Sequence, residues 1–311
     1  MTILIVGDVN ADVGAALLRF PREGDDCPVR ELLWGSGGAG VNVATGLALL
    51  GFPARVERDE TIPTGLCYAA VSPGGERTFF SYRGANAALG LPDIDDLFRD
   101  VSFLHVCGHA LLEGSQEATT RAVLAEASRR RVPASLDLCL PLLAERPKIL
   151  SEIAPPMEFV FANEPELAAL SGLDFGDRDP VSAALASIAA VERAYPCRIV
   201  AKLGARGSVM GGDPPVVVPA FSVVARDTTG CGDAYAAAFL AAYLRGASPF
   251  ECARLGNAAG AVVATRPGSA DALPSRREIF VFLKERGDGS SLSALFSADS
   301  GKAIDTEGNT L

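Results

Sequence analysis

Asp227 and Asp233 enclose the run Thr-Thr-Gly-Cys-Gly, which leads directly into the apolar stretch AYAAAFLAAYL. A Gly-x-Gly turn opening a helix exposes backbone amides at the positive end of the helix dipole, where an anion can be seated. Asp233 stands at the helix start and is placed to take the proton from an attacking hydroxyl. Gly230, Cys231 and Gly232 would then supply the anion hole of a phosphoryl-transfer centre. Ordinary helix capping by Asp and Gly is the competing description. A thiol at a helix N-terminus is also expected to have a lowered pKa, which would make Cys231 oxidisable.

Gly35-Ser-Gly37-Gly38-Ala-Gly40 fits G-x-G-x-x-G, with Glu57, Asp59 and Glu60 at about the distance of a ribose contact in a dinucleotide fold. The run before it, LLW, is short and is not the first strand of the chain, which counts against a dinucleotide enzyme. The same glycines would admit a small polyol, with Asn42 in the first helical turn offering donor and acceptor. Asn10 and Asp12 follow the first strand, where α/β proteins place ligand contacts, although Asp12 also suits a turn or helix cap.

Three further groups read both ways. Asn163-Glu-Pro-Glu166 is a helix start whose acids could organise water around Mg2+. The turn from Lys202 through Gly204 to Gly207 suits either a ligand loop or a hairpin. Asn257 lies on a helix where neither propensity nor packing calls for it. Arg83 could bring a guanidinium to an acidic or heavily hydroxylated acceptor, or be a solvated strand-end residue. His105 and His109 read as a strand end and its loop.

Strand-length apolar runs alternate with helical stretches, so a mainly parallel sheet is expected. The strands are 3–6, 101–106, 134–137, 159–162, 199–203 and 208–210. The helices are 40–50, 117–131, 165–171, 181–195, 233–245, 249–265 and 275–286, punctuated by Gly at their ends and Asp, Ser or Pro at their starts. Residues 28–37 and 64–82 read instead as helix-free strands of a small second sheet, a flap able to exclude water. From Gly287 the chain turns polar, and residues 287–311 are expected to form a poorly ordered tail.

The 311 residues have a formal charge of -10, 49% hydrophobic content and a mean hydropathy of +0.24. They describe a well-buried acidic protein without a broad nucleic-acid surface or a bilayer span. The seven cysteines are scattered and lack a C-x-x-C pair, which reads as reduced thiols in the cytoplasm.

Taken together, VNAD, GSGGAGVNVATGLALLG, NEPE, KLGARG, DTTGCGDAYAAAF and NAAGAVVATRPG resemble the ribokinase-like (PfkB) carbohydrate kinase family, in that family's order, over residues 3 to about 286. The resemblance implies a three-layer α/β/α sandwich with a mainly parallel central sheet and a small β-sheet lid (strands within about 12–38 and 64–84), in one kinase domain of residues 1–286. It implies ATP-dependent phosphorylation of a sugar or nucleoside hydroxyl, with Asp233 as base and the amides of Gly230, Cys231 and Gly232 as anion hole. Sugar contacts would fall on Asn10, Asp12, Gly37, Gly38 and Asn42, with Arg83 near the acceptor. Nucleotide contacts would fall on Asn163, Lys202, Gly204, Gly207 and Asn257. Glu166 would assist Mg2+, and a monovalent cation such as K+ would sit by Asp227 and Thr229. A homodimer through the lid is a further implication.

Three features depart from the family pattern, one of them being Cys231 where Ala is usual. About one βα unit, some 25–30 residues, is missing after Gly51. Lys202 stands where Thr or Ser is commoner. A pseudouridine-type nucleoside kinase, a sugar-acid kinase and a binding protein without turnover stay open as alternatives.

Overall fold

The computed structural model describes residues 2–54, 59–74, 76–91, 93–153, 157–268 and 270–289. The expected polar tail therefore lies, from residue 290 on, outside the described residues. The first half of the chain forms β1 (Thr2–Val6), β2 (Asn10–Leu17), β3 (Val29–Gly37), α1 (Ala39–Leu49), β4 (Gly65–Val71), β5 (Arg77–Tyr82), α2 (Ile94–Leu97), β6 (Val101–Cys107), α3 (Gly114–Arg130), β7 (Ala134–Asp137), α4 (Leu140–Glu145) and α5 (Ile149–Glu152). The second half forms β8 (Phe159–Asn163), α6 (Glu164–Ser171), α7 (Pro180–Ala194), β9 (Arg198–Lys202), β10 (Ser208–Met210), β11 (Val216–Val218), α8 (Cys231–Leu244), α9 (Pro249–Ala264) and α10 (Arg276–Glu285).

The large sheet has the order β1-β6-β7-β8-β9-β10-β11. Its first five strands are parallel, and β10 runs antiparallel to both β9 and β11. Side chains alternate between two cores, as a sheet covered on both faces requires. Phe103, Phe159, Phe161 and Val200 pack with α1, α8, α9 and α10. Leu104, Leu136, Val160 and Ile199 pack with α3, α4, α6 and α7 on the other side. Helix starts follow the expected punctuation: Ser248 and Ser275 form capping boxes with Glu251 and Glu278, and Pro249 occupies the first turn of α9.

The alanine-rich α8 is buried along most of its length, and its small side chains let α1 approach closely. A Cβ on Gly46 would lie 2.7 Å from that of Ala237. At the far end of the same pair, Arg245 donates to the Leu50 carbonyl at 2.5 Å, with its guanidinium over the Phe52 ring at 4.6 Å. Between α1 and β4 the described residues form neither strand nor helix, and residues 55–58 lie outside them.

The second sheet, β3-β2-β4-β5, is the expected lid. It departs from the sequence reading in one respect: Asp12 is neither a turn residue nor a cap but sits within β2, register partner of Gly35 on one side and Cys67 on the other.

Candidate active site

The parallel strands deliver side chains to one edge of the large sheet, beneath the lid. Helix α8 begins there. Its N-cap, Gly230, adopts a left-handed φ of 78°, and the preceding turn is closed by the Asp227 carboxylate, which accepts the Thr229 amide at 2.9 Å. The other Asp227 oxygen accepts the Gly268 amide at 3.2 Å. Of the three amides expected to form the anion hole, that of Cys231 also donates to the Thr228 carbonyl over a long 3.3 Å.

Asp233, partly buried in the first turn of α8, accepts a hydrogen bond from the Asn42 side chain at 2.6 Å. Burial pushes its pKa up to about 6, and the Asp137 and Asp12 carboxylates push the same way. The Asn42 bond and the Lys202 ammonium oppose them. A carboxylate in that range is ionised at neutral pH yet basic enough to accept a hydroxyl proton in a transition state.

The glycine-rich turn before α1 serves close packing rather than a dinucleotide. Gly38 has φ 92°, and a Cβ there would strike the Asp8 carbonyl; a Cβ on Gly37 would fall on the Asp12 carboxylate. Asp12 is thereby seated against bare backbone, with Oδ1 buried and, among the described residues, without a hydrogen-bond partner. Burial raises its pKa above the usual carboxylate range. Asn10 accepts from the Asn86 amide at 2.9 Å, and Asn86 also bonds both the N–H and the C=O of Val9.

Arg83 is not a solvated rim residue. Its Nη2 bonds Asp8 at 2.9 Å and also Gln116, which itself donates to Asp8 at 3.1 Å. Its Nε and Nη1 are buried with no partner among the described residues. Burial and the Arg83 charge depress the neighbouring His109, while Asp8 opposes them.

Lys202, at the end of β9, is largely buried and reaches across β8 to Asp137 at the end of β7, 2.7 and 2.8 Å from its two carboxylate oxygens. Burial works against its charge, but Asp137, Glu166 and Asp233 outweigh that and raise its pKa. Asn163, its register partner on β8, forms a capping box with Glu166. Burial pushes Glu166 up to about 7, Lys202 resists, and Asp137 adds to the rise. Gly204 and Gly207 bound the turn of an antiparallel hairpin, β9 to β10. Asn257 is bonded into the fold, donating to the Val218 and Pro219 carbonyls at 3.1 and 3.3 Å.

One expectation is reversed. Cys231 does not have a lowered pKa: burial, then the Asp227 and Asp233 carboxylates, push it up to about 11. Desolvation and two neighbouring acids all act against the thiolate.

Residues 53–276, well over half of the chain, match the family model described as pfkB family carbohydrate kinase. The chain belongs to that family. Among curated pfkB-type relatives, it is 26% identical to a ribokinase of Arabidopsis thaliana over 91% of this chain and 81% of the relative. It is 29% identical to an ATP-dependent ribose-1-phosphate kinase of Halopiger xanaduensis over 92% and 99%. The crystal structure of a Thermotoga maritima ribokinase superposes with a TM-score of 0.73 at 26% identity, covering 91% of this chain and 99% of that one. The three-layer pfkB architecture with its lid is thus the fold of this chain, and the chain is a carbohydrate kinase.

Asp8, Asn86, Gln116 and Asp137 also stand in the site of this pfkB protein but were not singled out as site residues in the sequence. Their partners lie 33 to 108 positions away, so no local spacing announces them.

Proposed function

We propose that the protein transfers the γ-phosphoryl group of ATP to a hydroxyl of a small uncharged sugar. The observation that carries this reading is the setting of Asp233. It is a partly buried carboxylate in the first turn of a glycine-capped helix, bonded to Asn42 at 2.6 Å and with its pKa pushed up to about 6. Asp233 takes the proton of the acceptor hydroxyl as that oxygen attacks the γ-phosphorus, and ADP leaves. The amides of Gly230, Cys231 and Gly232 meet the charge that develops on the equatorial oxygens.

Asp12, Asn10 and Asn42, with the backbone of Gly37 and Gly38, hold the sugar hydroxyls. The unpartnered Oδ1 of Asp12 is an acceptor waiting for a hydroxyl, and Nε and Nη1 of Arg83 are matching donors. Asp8, Asp12 and Asp233 outnumber the one guanidinium, which Asp8 already neutralises. That balance disfavours an anionic acceptor.

Asn163, Lys202, Gly204, Gly207 and Asn257 line the nucleotide side, from the end of β8 to the end of β11. Among the described residues no three His, Cys, Asp or Glu side chains converge on a metal position. Mg2+ would therefore be held mainly by the nucleotide phosphates, with Glu166 bonding its water shell, and would neutralise phosphate charge when bound. A K+ ion by Asp227 and Thr229 would use lone pairs of a carboxylate that already accepts two backbone amides.

The lid face opposite Asp12 exposes Leu32, Trp34, Phe80 and Tyr82, a surface suited to a second copy of the lid. Light scattering on wild type and Trp34→Glu tests this, with a dimer expected only for the former. No helix among the described residues is long and apolar enough to cross a membrane, and the seven cysteines are free, which suits a reducing cytoplasm.

The test is ADP formation with ATP, Mg2+ and K+ against a panel of neutral sugars, sugar acids and nucleosides. Neutral sugars should be turned over. Preference for an acid or a nucleoside would overturn the acceptor assignment, and ATP binding without turnover of any acceptor would leave a binding protein.

A further inference from the structure

We propose that Lys202, with Asp137 as its counter-ion, is the cation that faces the γ-phosphoryl group at the start of α8. The proposal rests on the phosphoryl-transfer reading above and extends it to a pair of residues.

Three observations converge. The ammonium lies 2.7 and 2.8 Å from the two Asp137 oxygens, which places it over the end of β8, between the strands that carry the pair. A Cβ on Gly232 would lie 3.3 Å from the same nitrogen, so Nζ stands beside the last glycine of the anion turn. The pair is largely buried, with 14% of the lysine side chain and 10% of the aspartate exposed. A side chain at Gly232 would start in tight contact with the ammonium, so glycine leaves the Lys202 side of the turn clear.

The chemistry calls for such a group. Charge spreads over three equatorial oxygens in a loose transition state, and backbone amides offer only partial charges. A full positive charge in a water-poor setting adds to them strongly. An unpaired ammonium would be costly to hold there, and Asp137 keeps it charged and aimed while the site is empty. Once phosphate oxygens arrive they share the ammonium with Asp137. Asp137 is thus a positioning residue.

The same contacts would also suit a purely structural clamp joining β7 to β9, and the variants must separate the two roles. Lys202→Met alone would strand a buried carboxylate and endanger the fold. The informative comparison is Asp137→Asn, which keeps the ammonium, against Lys202→Met/Asp137→Asn, which removes both charges. Calorimetry with a non-hydrolysable ATP analogue and with ADP gives each variant's preference for the γ-phosphate without any acceptor. Thermal melting checks that both are folded.

The expected result is a preference at least about tenfold smaller in the double variant than in Asp137→Asn. Equal preferences, within about twofold, would overturn the assignment and leave a clamp. If the wild type itself shows no preference for the ATP analogue over ADP and forms ADP with no acceptor, the kinase reading fails and the lysine assignment fails with it. Wild-type turnover with equal preferences in the two variants overturns the lysine assignment alone.

Discussion

The side-chain amide of Asn42 donates to the Asp233 carboxylate across 2.6 Å, joining the first turn of α1 to the first turn of α8. The two residues are 191 positions apart. That one bond ties the glycine-rich turn to the candidate catalytic turn and helps set how basic Asp233 is.

Activity should follow the ionisation of Asp233. The carboxylate is the working form, so kcat/KM is expected to be full well above pH 6 and to fall as pH drops through about 6. Asn42→Leu removes the bond that favours the charged form, leaving Asp137, Asp12 and burial to act against Lys202 alone. The acid limb should then move to higher pH by about one unit. A pH–rate profile of both proteins checks this; a limb that moves to lower pH, or does not move, contradicts the role given to Asn42.

The same carboxylate should be a stability cost. Its folded pKa, about 6, lies above the ordinary aspartate value of 3.8, so its contribution to stability is greatest at low pH and is lost as pH rises through 6. Asp233→Asn should therefore lower turnover by about 10³ or more while making the protein on the order of 2 kcal/mol more stable at pH 7.5. Denaturant titration beside an ADP assay measures both. A variant that is inactive and less stable would point to misfolding instead.

Gly37→Ala should damage the acceptor side selectively. The new methyl falls on the Asp12 carboxylate, which must turn away from the sugar. KM for the acceptor is expected to rise about tenfold or more with KM for ATP little changed. A parallel loss of ATP affinity would show that the clash reaches α8.

Cys231 should resist thiol reagents. With its pKa pushed up to about 11 from an ordinary thiol value of 9.0, it holds about a hundredfold less thiolate at pH 8 than an unperturbed thiol. Mass spectrometry after brief alkylation of the native protein should find it unlabelled. Rapid labelling would restore the reactive cysteine that its helix-start position suggests.

The frame of this fold is legible in the sequence because its signals are local. Alternating apolar runs marked the five parallel strands, and Pro249 and Ser275 marked helix starts, where the structure builds capping boxes on Ser248 and Ser275. The lid strand β2 was harder, since Asn10, Asp12 and Gly14 are poor strand formers in isolation and are held by pairing with β3 and β4. Charge was harder still. Cys231 was misjudged because a helix terminus is visible in sequence while Asp227 and Asp233 crowding a buried thiol is a matter of packing. Lys202 could be marked as an unusual residue at a strand end and, through the family resemblance, as a nucleotide contact, but not as half of an ion pair. That it reaches over β8 to Asp137 depends on strand order, which no spacing within KLGARG encodes.

The pairing of α1 with α8 carries a last implication. The two helices run side by side in the same direction, fastened at one end by Asn42 and Asp233, pressed together midway at Gly46 and Ala237, and riveted at the other by Arg245 on Leu50 and Phe52. Asp12, by contrast, rides on the lid. On the proposed reading, the strength of the base is set mostly from the body of the protein, by burial, Asn42, Asp137 and Lys202, while Asp12 on the lid adds a smaller push in the same direction as Asp137.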